Sequence, residues 1–367
     1  MTLIALTVNN GYTAEHGYPV LIADILISSP DGDECMPTPT YINGAKRIFS
    51  DNKSLKPFGL NQKLYVINDR LCVALGGNLI QMERFLKRLK ALYSSIDFDD
   101  DDLWRFVDEF SRDEGRGMIA IVLKSKAVAE GEFDFQVRCI GLYNENLVKS
   151  RLYGNVIAGG SGAPQFLEFI QSDTKFFTDI TDTDAFLAAN QSLIAHFLGL
   201  EISNAETLSK YWGAGYEMIA FENGRFVKLK EYTVVLLYAP FGKVIEFQAA
   251  PFSTMMVSYQ EDVMLITTFA NNVERIFAVP SITYQGASLE IADFEPKHEA
   301  LFMSYIFNDV DNGNARYSRA AVFPRNRNEF DQTPIVFERI DGKLRLWKDE
   351  RQDVAMLKTV LKELGHD

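Results

Sequence analysis

Residues 1–29 read MTLIALTVNNGYTAEHGYPVLIADILISS, and this stretch decides the fold. It contains two apolar runs rich in β-branched residues, residues 2–8 and 18–29, separated by a segment with Gly and Asn. That pattern predicts two antiparallel strands joined by a long loop. Because both runs are apolar almost continuously, we expect the strands to lie in a sheet that is covered on both faces.

Thr2 follows a Met, and a residue as small as Thr normally allows an initiator Met to be removed. Removal would leave a free α-amine and a hydroxyl on the same residue. An amine with a pKa of about 8 can accept the proton of that hydroxyl. A strand would also hold the group rigidly, as a nucleophile requires. Thr2 is therefore a candidate nucleophile, and the alternative is an ordinary Thr at the start of an ordinary strand.

The composition predicts a soluble globular protein. The chain has 367 residues, of which 47% are hydrophobic and 24% charged, so it can bury one large core or two moderate ones. No apolar run reaches the ~18 residues of a membrane span. No basic segment precedes the first apolar run, so we expect no signal peptide and a cytoplasmic location.

Charge and metal-binding residue types exclude several function classes. The net charge of −13 disfavours a nucleic-acid binder, because phosphate contacts need a basic surface. The histidines are scattered and the three cysteines lack metal spacing, so we expect neither a metal nor a cofactor. Cys72 and Cys139 lie in apolar runs that predict core positions, and Cys35 lies in a polar segment.

The rest of the first 230 residues alternates between strands and helices. Apolar spacing of three and four predicts helices, and short β-branched runs predict strands. Two strands are expected within 63–77, with others at 118–123, 133–142, 147–158, 217–221 and 225–229; helices are expected at 79–92, 103–112, 163–170 and 182–198. This order favours an α+β fold with two stacked sheets and outer helices, a four-layer αββα sandwich.

Residues 97–102 are acidic except for Phe98. Consecutive carboxylates ahead of a helix usually form its N-terminal cap and first turn, and cation binding is the alternative.

The last third of the sequence predicts a β-rich extension. Strands are expected at 232–237, 244–247, 254–259, 263–268 and 275–278, and helices at 298–306 and 353–364. We divide the chain into residues 1–230 and an extension, 231–367. The extension is either a separate domain or a set of added strands, and it could bind a partner.

Four motifs carry a resemblance to a known family. They are residues 1–4, Val20–Asp24, the run from Lys63 that ends at Gly76-Gly77, and Ile157–Gly162 ahead of a helix. In order and spacing they resemble the N-terminal-nucleophile hydrolases, in particular proteasome β-subunits and their bacterial heat-shock peptidase relatives. The resemblance covers about residues 1–230 and implies a threonine protease without a cofactor.

The resemblance also implies roles for individual residues. Thr2 would attack the peptide carbonyl, with Asp24 and Lys63 assisting its deprotonation. The backbone amide of Gly77 would stabilise the oxyanion, and Ser161 would lie near the amine of the nucleophile.

Ser28 corresponds to a small hydroxyl residue that lines the substrate cleft. Each position also has a structural interpretation, and Lys46 or Lys56 could take the place assigned to Lys63.

Two features depart from the family pattern. The family has an Asp and a Ser near the segment 209–215, where Glu206 or Ser209 are the available substitutes. The segment 30–61 is also longer than is usual for the family. If Met1 is retained, the amine of Thr2 is blocked.

Three interpretations follow. The first is a threonine-dependent peptidase or amidohydrolase that acts on a peptide or protein substrate, either alone or as a homo-oligomer. The second is an inactive relative that serves as a scaffold or sensor for a protein partner. The third is an acidic module unrelated to this family. We expect no nucleic-acid or membrane partner in any of them.

Overall fold

The computed structural model of the chain describes residues 2–9, 18–33, 35–40, 55–95, 98–142, 146–172, 183–204, 207–229, 232–241, 252–260, 262–270, 273–284, 286, 300–309, 316–324, 335–340 and 343–348. Within them the chain is a mixed α and β structure with several antiparallel sheets.

The first sheet has the two N-terminal strands at its centre. Strand β1 (Ile4–Asn9) pairs antiparallel with β2 (Tyr18–Asp24) on one side and with β10 (Gly154–Gly159) on the other. This confirms the predicted antiparallel pair, and the register places Thr2 and Asp24 at the same end of the sheet. Strands β9 (Leu147–Ser150), β11 (Tyr216–Glu222) and β12 (Arg225–Lys228) complete the order β12-β11-β2-β1-β10-β9.

The second sheet carries two helices on one face. Its described strands, in spatial order, are β5 (Leu64–Asn68), β6 (Leu71–Gly77), β7 (Met118–Ala129) and β8 (Glu132–Ile140), all antiparallel. The helices are α1 (Leu79–Tyr93) and α2 (Asp100–Asp113). Apolar side chains of both helices share a buried cluster with the strands, which is what amphipathic spacing predicts.

Both of these helices begin at a polar cap. The Asn78 side chain accepts from two backbone N–H groups of α1, and the Asp99 side chain does the same for α2. Asp100, Asp101 and Asp102 occupy the first turn of α2, where the helix dipole favours negative charge. The capping interpretation of the acidic run is therefore confirmed.

Two further helices pack on the other face of the first sheet. Helix α3 spans Ala163–Ser172 and helix α4 spans Thr183–Asn204. Buried apolar residues of both, among them Phe166 and Phe197, share a cluster with side chains of β1, β2 and β10.

The third sheet is formed by the extension. Its described strands are β13 (Tyr232–Phe241), β14 (Phe252–Gln260), β15 (Val263–Ala270), β16 (Val273–Pro280), β17 (Ala300–Asp309) and β18 (Arg316–Pro324). They run in the order β16-β15-β14-β13-β17-β18, and only the β13–β17 pair among them is parallel. Short antiparallel pairs join β3 (Leu26–Ser29) to β4 (Lys56–Leu60) and β19 (Ile335–Ile340) to β20 (Lys343–Lys348).

Apolar side chains connect the three sheets. The first and second sheets meet in a cluster that includes Leu6, Leu21, Cys72 and Ile121. Strands β14, β15 and β16 contribute buried side chains, Ile266 among them, to the cluster that holds the first sheet and helices α3 and α4. The extension therefore packs directly against the rest of the described chain.

Several expectations are corrected. The predicted helix at 298–306 is wrong, because residues 300–309 form strand β17. This strand pairs with β13, which is distant in sequence, and local propensity does not report such pairing. Cys139 is exposed rather than in the core, because β8 is the edge strand of the second sheet. The expected strand 147–158 is two strands, β9 and β10, and the run 18–29 divides at Ile25 between two sheets.

Other expectations are confirmed or lie outside the described residues. Cys72 is buried, Cys35 is exposed, and the hairpin of β11 and β12 forms as predicted. The predicted strand at 244–247 and helix at 353–364, together with Lys46 and Glu206, lie outside the described residues.

Candidate active site

Asp24, at the end of β2, is the centre of the candidate site. Its Oδ1 accepts hydrogen bonds from the hydroxyl of Thr2 at 3.0 Å, the backbone N–H of Leu3 at 2.7 Å and the ammonium of Lys63 at 2.5 Å. Its Oδ2 accepts the backbone N–H of Gly213 at 2.9 Å. The side chain is completely buried, and these donors replace the water that a carboxylate otherwise needs.

Lys63 lies just ahead of β5 and is also completely buried. Besides Asp24, its Nζ donates to the backbone oxygen of Leu26 at 2.8 Å. Burial lowers the pKa of Lys63, because desolvation disfavours the ammonium form, while the charge and hydrogen bond of Asp24 oppose that shift. Lys56, the alternative that the sequence left open, lies on β4.

The main chain of Thr2 is enclosed by a loop between β10 and α3. The backbone nitrogen of Thr2 donates to the Ser161 hydroxyl at 3.2 Å, and the N–H of Gly162 donates to the Thr2 oxygen at 3.2 Å. A Cβ on Gly160, whose φ is +96°, would lie 2.0 Å from the Thr2 oxygen. A Cβ on Gly76 would lie 2.5 Å from Cγ2 of Thr2, so both glycines permit close approach.

Gly77 ends β6 directly before the capped start of α1. Its φ is +95°, and a Cβ there would lie 2.4 Å from the Gly117 oxygen. The neighbouring Gly76 is the residue that borders Thr2. Gly77 therefore lies between the neighbour of Thr2 and the N-terminus of α1, where the helix dipole favours negative charge.

Ser28 lies in β3, two residues after the carbonyl that binds Lys63. Its hydroxyl oxygen is buried and has no hydrogen-bond partner among the described residues. A buried hydroxyl without a partner is uncommon in proteins.

A second buried carboxylate, Glu217 on β11, supports the backbone beneath Lys63. Its Oε2 accepts the N–H of Lys63 at 2.5 Å and that of Leu64 at 3.2 Å. Its Oε1 forms an ion pair with Nζ of Lys228 at 2.5 Å.

A third buried carboxyl group, Glu201 at the end of α4, holds the loop that reaches Asp24. It accepts the N–H of Ala214 at 2.5 Å and the hydroxyl of Thr207 at 2.5 Å, and it also binds the hydroxyl of Thr40. Burial raises the pKa of Glu201 to about 7, against the opposing effect of these donors. Ala214 has a φ of +69°, an uncommon conformation for a residue with a side chain.

The sequence analysis and the structure agree on part of this arrangement. Thr2, Asp24 and Ser161 are brought together with Lys63 as the motifs suggested, whereas Ser209 is exposed. Gly76, Glu201, Glu217 and the amide of Gly213 were missed. The Gly76-Gly77 pair was the available signal for the first, and an isolated Glu inside an apolar strand could have pointed to Glu217.

Within the described part of the chain, no group of three or more His, Cys, Asp or Glu side chains is placed to hold a metal ion. Of the helices in those same residues, none has the length and apolar character needed to cross a bilayer.

Comparison with known proteins adds no relative: no protein-family model matches the chain, and no curated protein sequence matches it.

Proposed function

We propose that residues 1–230 form a four-layer αββα sandwich of the N-terminal-nucleophile hydrolase type. Two observations support the assignment. The first and second sheets share an apolar cluster, and a pair of helices packs on the outer face of each sheet. Sheets stacked between helix layers bury every apolar face, which makes the arrangement physically sound.

We further propose that the chain is a threonine hydrolase that cleaves peptide or other amide bonds, with Thr2 as its nucleophile. The proposal rests on one observation, the buried hydrogen-bonded chain from Lys63 through Asp24 to the Thr2 hydroxyl. Cleavage of the peptide bond before Thr2 is required, because it turns the amide nitrogen into an amine. The Ser161 hydroxyl, 3.2 Å from that nitrogen, would orient the amine.

The reaction would proceed in two steps, formation of an ester on Thr2 and hydrolysis of that ester. Oγ1 of Thr2 forms a bond to the substrate carbonyl carbon while its proton passes to the α-amine. The amide C–N bond then breaks, and the leaving nitrogen takes that proton. Water hydrolyses the resulting ester and restores the hydroxyl. The ammonium of Lys63, which Asp24 holds in a dry site, would bring positive charge close to the Thr2 hydroxyl and so favour its deprotonated form.

Substrate binding would involve groups on both sides of Thr2. The amide of Gly77, next to the start of α1, would donate to the oxyanion of the tetrahedral intermediate. Ser28, whose hydroxyl has no hydrogen-bond partner among the described residues, would line the substrate cleft.

Chemical labelling tests the proposal. Intact mass first establishes whether the native chain begins at Thr2. A β-lactone or epoxyketone should then modify Thr2, as read by peptide mass spectrometry. Thr2→Ala should abolish labelling, and Thr2→Ser, which keeps a hydroxyl, should retain it. A chain that begins at Thr2, is folded and takes up neither reagent would rule out the hydrolase.

One observation favours a second function, that of an inactive scaffold or sensor for a protein partner. Thr2 is 2% exposed in the chain before any cleavage. If the bond before Thr2 stays intact in the native protein, the scaffold is the function that remains. Self-assembly is a separate part of the proposal, and a monomer in a solution size measurement would contradict it.

A further inference from the structure

Gln62, the residue before Lys63, is anchored to the third sheet. Its backbone N–H donates to the Pro280 oxygen at 3.1 Å. Its side-chain Nε2 donates to the backbone oxygens of Asp262 at 2.7 Å and Val279 at 2.9 Å. Gln62 is 4% exposed, so these three bonds are shielded from water and hold the residue to β15 and β16.

The other end of the Gln62 side chain meets the first sheet. Its Oε1 accepts Nζ of Lys228 at 2.8 Å, and the same ammonium donates to the Leu64 oxygen at 2.9 Å. Lys228 pairs with Glu217, whose second oxygen binds the N–H groups of Lys63 and Leu64. The backbone of residues 62–64 is thus bonded both to the first sheet and to the third.

Two tyrosines extend this connection. The Tyr65 hydroxyl donates to the Gln62 oxygen at 2.6 Å and accepts the N–H of Ile282, just after β16, at 3.2 Å. The Tyr259 hydroxyl, on β14, donates to Oε1 of Glu217 at 3.3 Å. Strands β14, β15 and β16 and the turn after them therefore all reach the segment around Lys63.

We propose that strands β14, β15 and β16 of the extension, with the turn after them, are an intramolecular clamp that positions Lys63, and that Gln62 is the positioning residue that links the two. The clamp assigns a role to part of the extension that the proposed hydrolase does not itself require. The expected effect of the clamp on the reaction rate of Thr2 rests on the proposed function, whereas its expected effect on the mobility of the backbone at residues 62–64 does not.

The clamp acts by fixing the position of the Lys63 backbone. Nζ of Lys63 must lie 2.5 Å from Asp24 at the end of a flexible side chain, so its position depends on where the backbone at residue 63 is fixed. A displacement of about 1 Å in such an arrangement can lower a reaction rate about 100-fold. The bonds of Gln62 prevent that displacement without touching Thr2 or Asp24.

Gln62→Met tests the clamp, because it keeps the length of the side chain and removes the three side-chain hydrogen bonds, to Asp262, Val279 and Lys228. The full chain is used, and amide hydrogen exchange is measured for the peptide that contains residues 62–64. We expect exchange there to rise by about tenfold or more. The labelling rate of Thr2 at saturating β-lactone should fall by a similar factor, with little change in the half-saturating concentration.

Two controls separate positioning from general destabilisation. Val107→Ala, on α2, creates a cavity in the cluster of the second sheet but removes no hydrogen bond of Gln62, and it should lower the melting temperature without changing exchange at 62–64. Gln62→Glu keeps an acceptor for Lys228 but loses the two donations to β15 and β16, so we expect it to behave like Gln62→Met.

The outcomes are distinct. Exchange at 62–64 that stays at the wild-type level in Gln62→Met overturns the clamp. Wild-type exchange in Gln62→Glu overturns it as well, because Lys228 rather than the third sheet would then fix the segment. If wild-type protein does not react with the lactone, the proposed hydrolase fails, and the exchange comparison still decides the clamp.

Discussion

Two buried lysine–carboxylate pairs lie on either side of the backbone at residue 63. In the Lys63–Asp24 pair and in the Lys228–Glu217 pair, nitrogen and oxygen are 2.5 Å apart. The first carboxylate also accepts the hydroxyl of Thr2, whereas the second binds backbone N–H groups of β5 and its preceding residue.

The difference between the pairs lies in what the second oxygen and the remaining lone pairs contact. A buried ion pair contributes little net stability, since desolvation offsets much of the attraction. Its consequences therefore depend on its further partners. Both carboxylates also accept backbone N–H groups, but Asp24 accepts the hydroxyl of Thr2 and Glu217 that of Tyr259. The first pair is therefore placed to act on Thr2 in the proposed reaction, and the second to fix the backbone at residues 63 and 64.

The largest expected effect separates the two pairs by activity. Lys63→Met should lower the β-lactone labelling rate of Thr2 by about 10³-fold, the size typical of a group that assists proton transfer. Lys228→Met should lower the rate per folded molecule by no more than about tenfold. Rates are measured by mass spectrometry and the folded fraction by circular dichroism. Equal losses in the two variants would remove the distinction.

Stability tests the structural role of the Lys228–Glu217 pair. Lys228→Met leaves Glu217, which is completely buried, without its counter-charge, and should lower the free energy of unfolding by about 3 kcal/mol or more. Urea unfolding measures the loss. The double variant Glu217→Gln with Lys228→Met should recover part of it, because no unpaired charge remains. A Lys228→Met protein as stable as wild type would contradict this role.

The third carboxyl group, Glu201, should make stability depend on pH. Its pKa is about 7 in the folded chain against an ordinary 4.5, so the folded state binds the extra proton between these values. Stability should therefore fall as pH rises from 4.5 to 7, by an amount on the order of 3 kcal/mol.

Glu201→Gln should remove this pH dependence, because the amide does not titrate. Urea unfolding of both proteins at pH 5 and pH 8 gives the comparison, and titration of other groups cancels in the difference. Two titratable groups lie close to Glu201. The charge of Asp24 also raises the pKa of Glu201, and the charge of Glu201 raises the pKa of Tyr216. A slope unchanged by the substitution would assign the effect to another group.

The smallest expected effect concerns the orientation of the Thr2 amine. Ser161→Ala removes the 3.2 Å hydrogen bond to its nitrogen and should slow labelling about tenfold, with a stability change of about 1 kcal/mol. Ser111→Ala, on α2, is the matched control and should leave the rate unchanged. Wild-type kinetics in Ser161→Ala would show that the amine is oriented by other groups.

The sequence predicted more of the local structure than of the contacts. Strands β1, β2, β5, β6, β11 and β12 follow from apolar runs and turn residues, and the start of α2 follows from its acidic cap. Strand β17 was mistaken for a helix, because ALFMSYIFND carries no strict alternation and its strand state depends on pairing with β13.

For the candidate site, the motifs named the residue types but not their partners. Asp24 and Gly213 are 189 positions apart, and Lys63 and Glu217 are 154 apart. Pairing at such separations is set by sheet register and by the packing of one sheet on another, and no local period encodes it.

The sequence by itself determined most strands and helices of residues 1–230, and that Thr2 lies in a buried segment just ahead of a strand, because these properties follow from apolar periodicity and turn chemistry over a few residues. Only the tertiary structure decided which lysine pairs with which carboxylate. It also decided that Gly76 and Gly160 lie against Thr2, and that the extension accepts hydrogen bonds from Gln62. The physical reason is burial. A charge or polar group removed from water must find partners wherever the folded chain brings them, at any distance along the sequence.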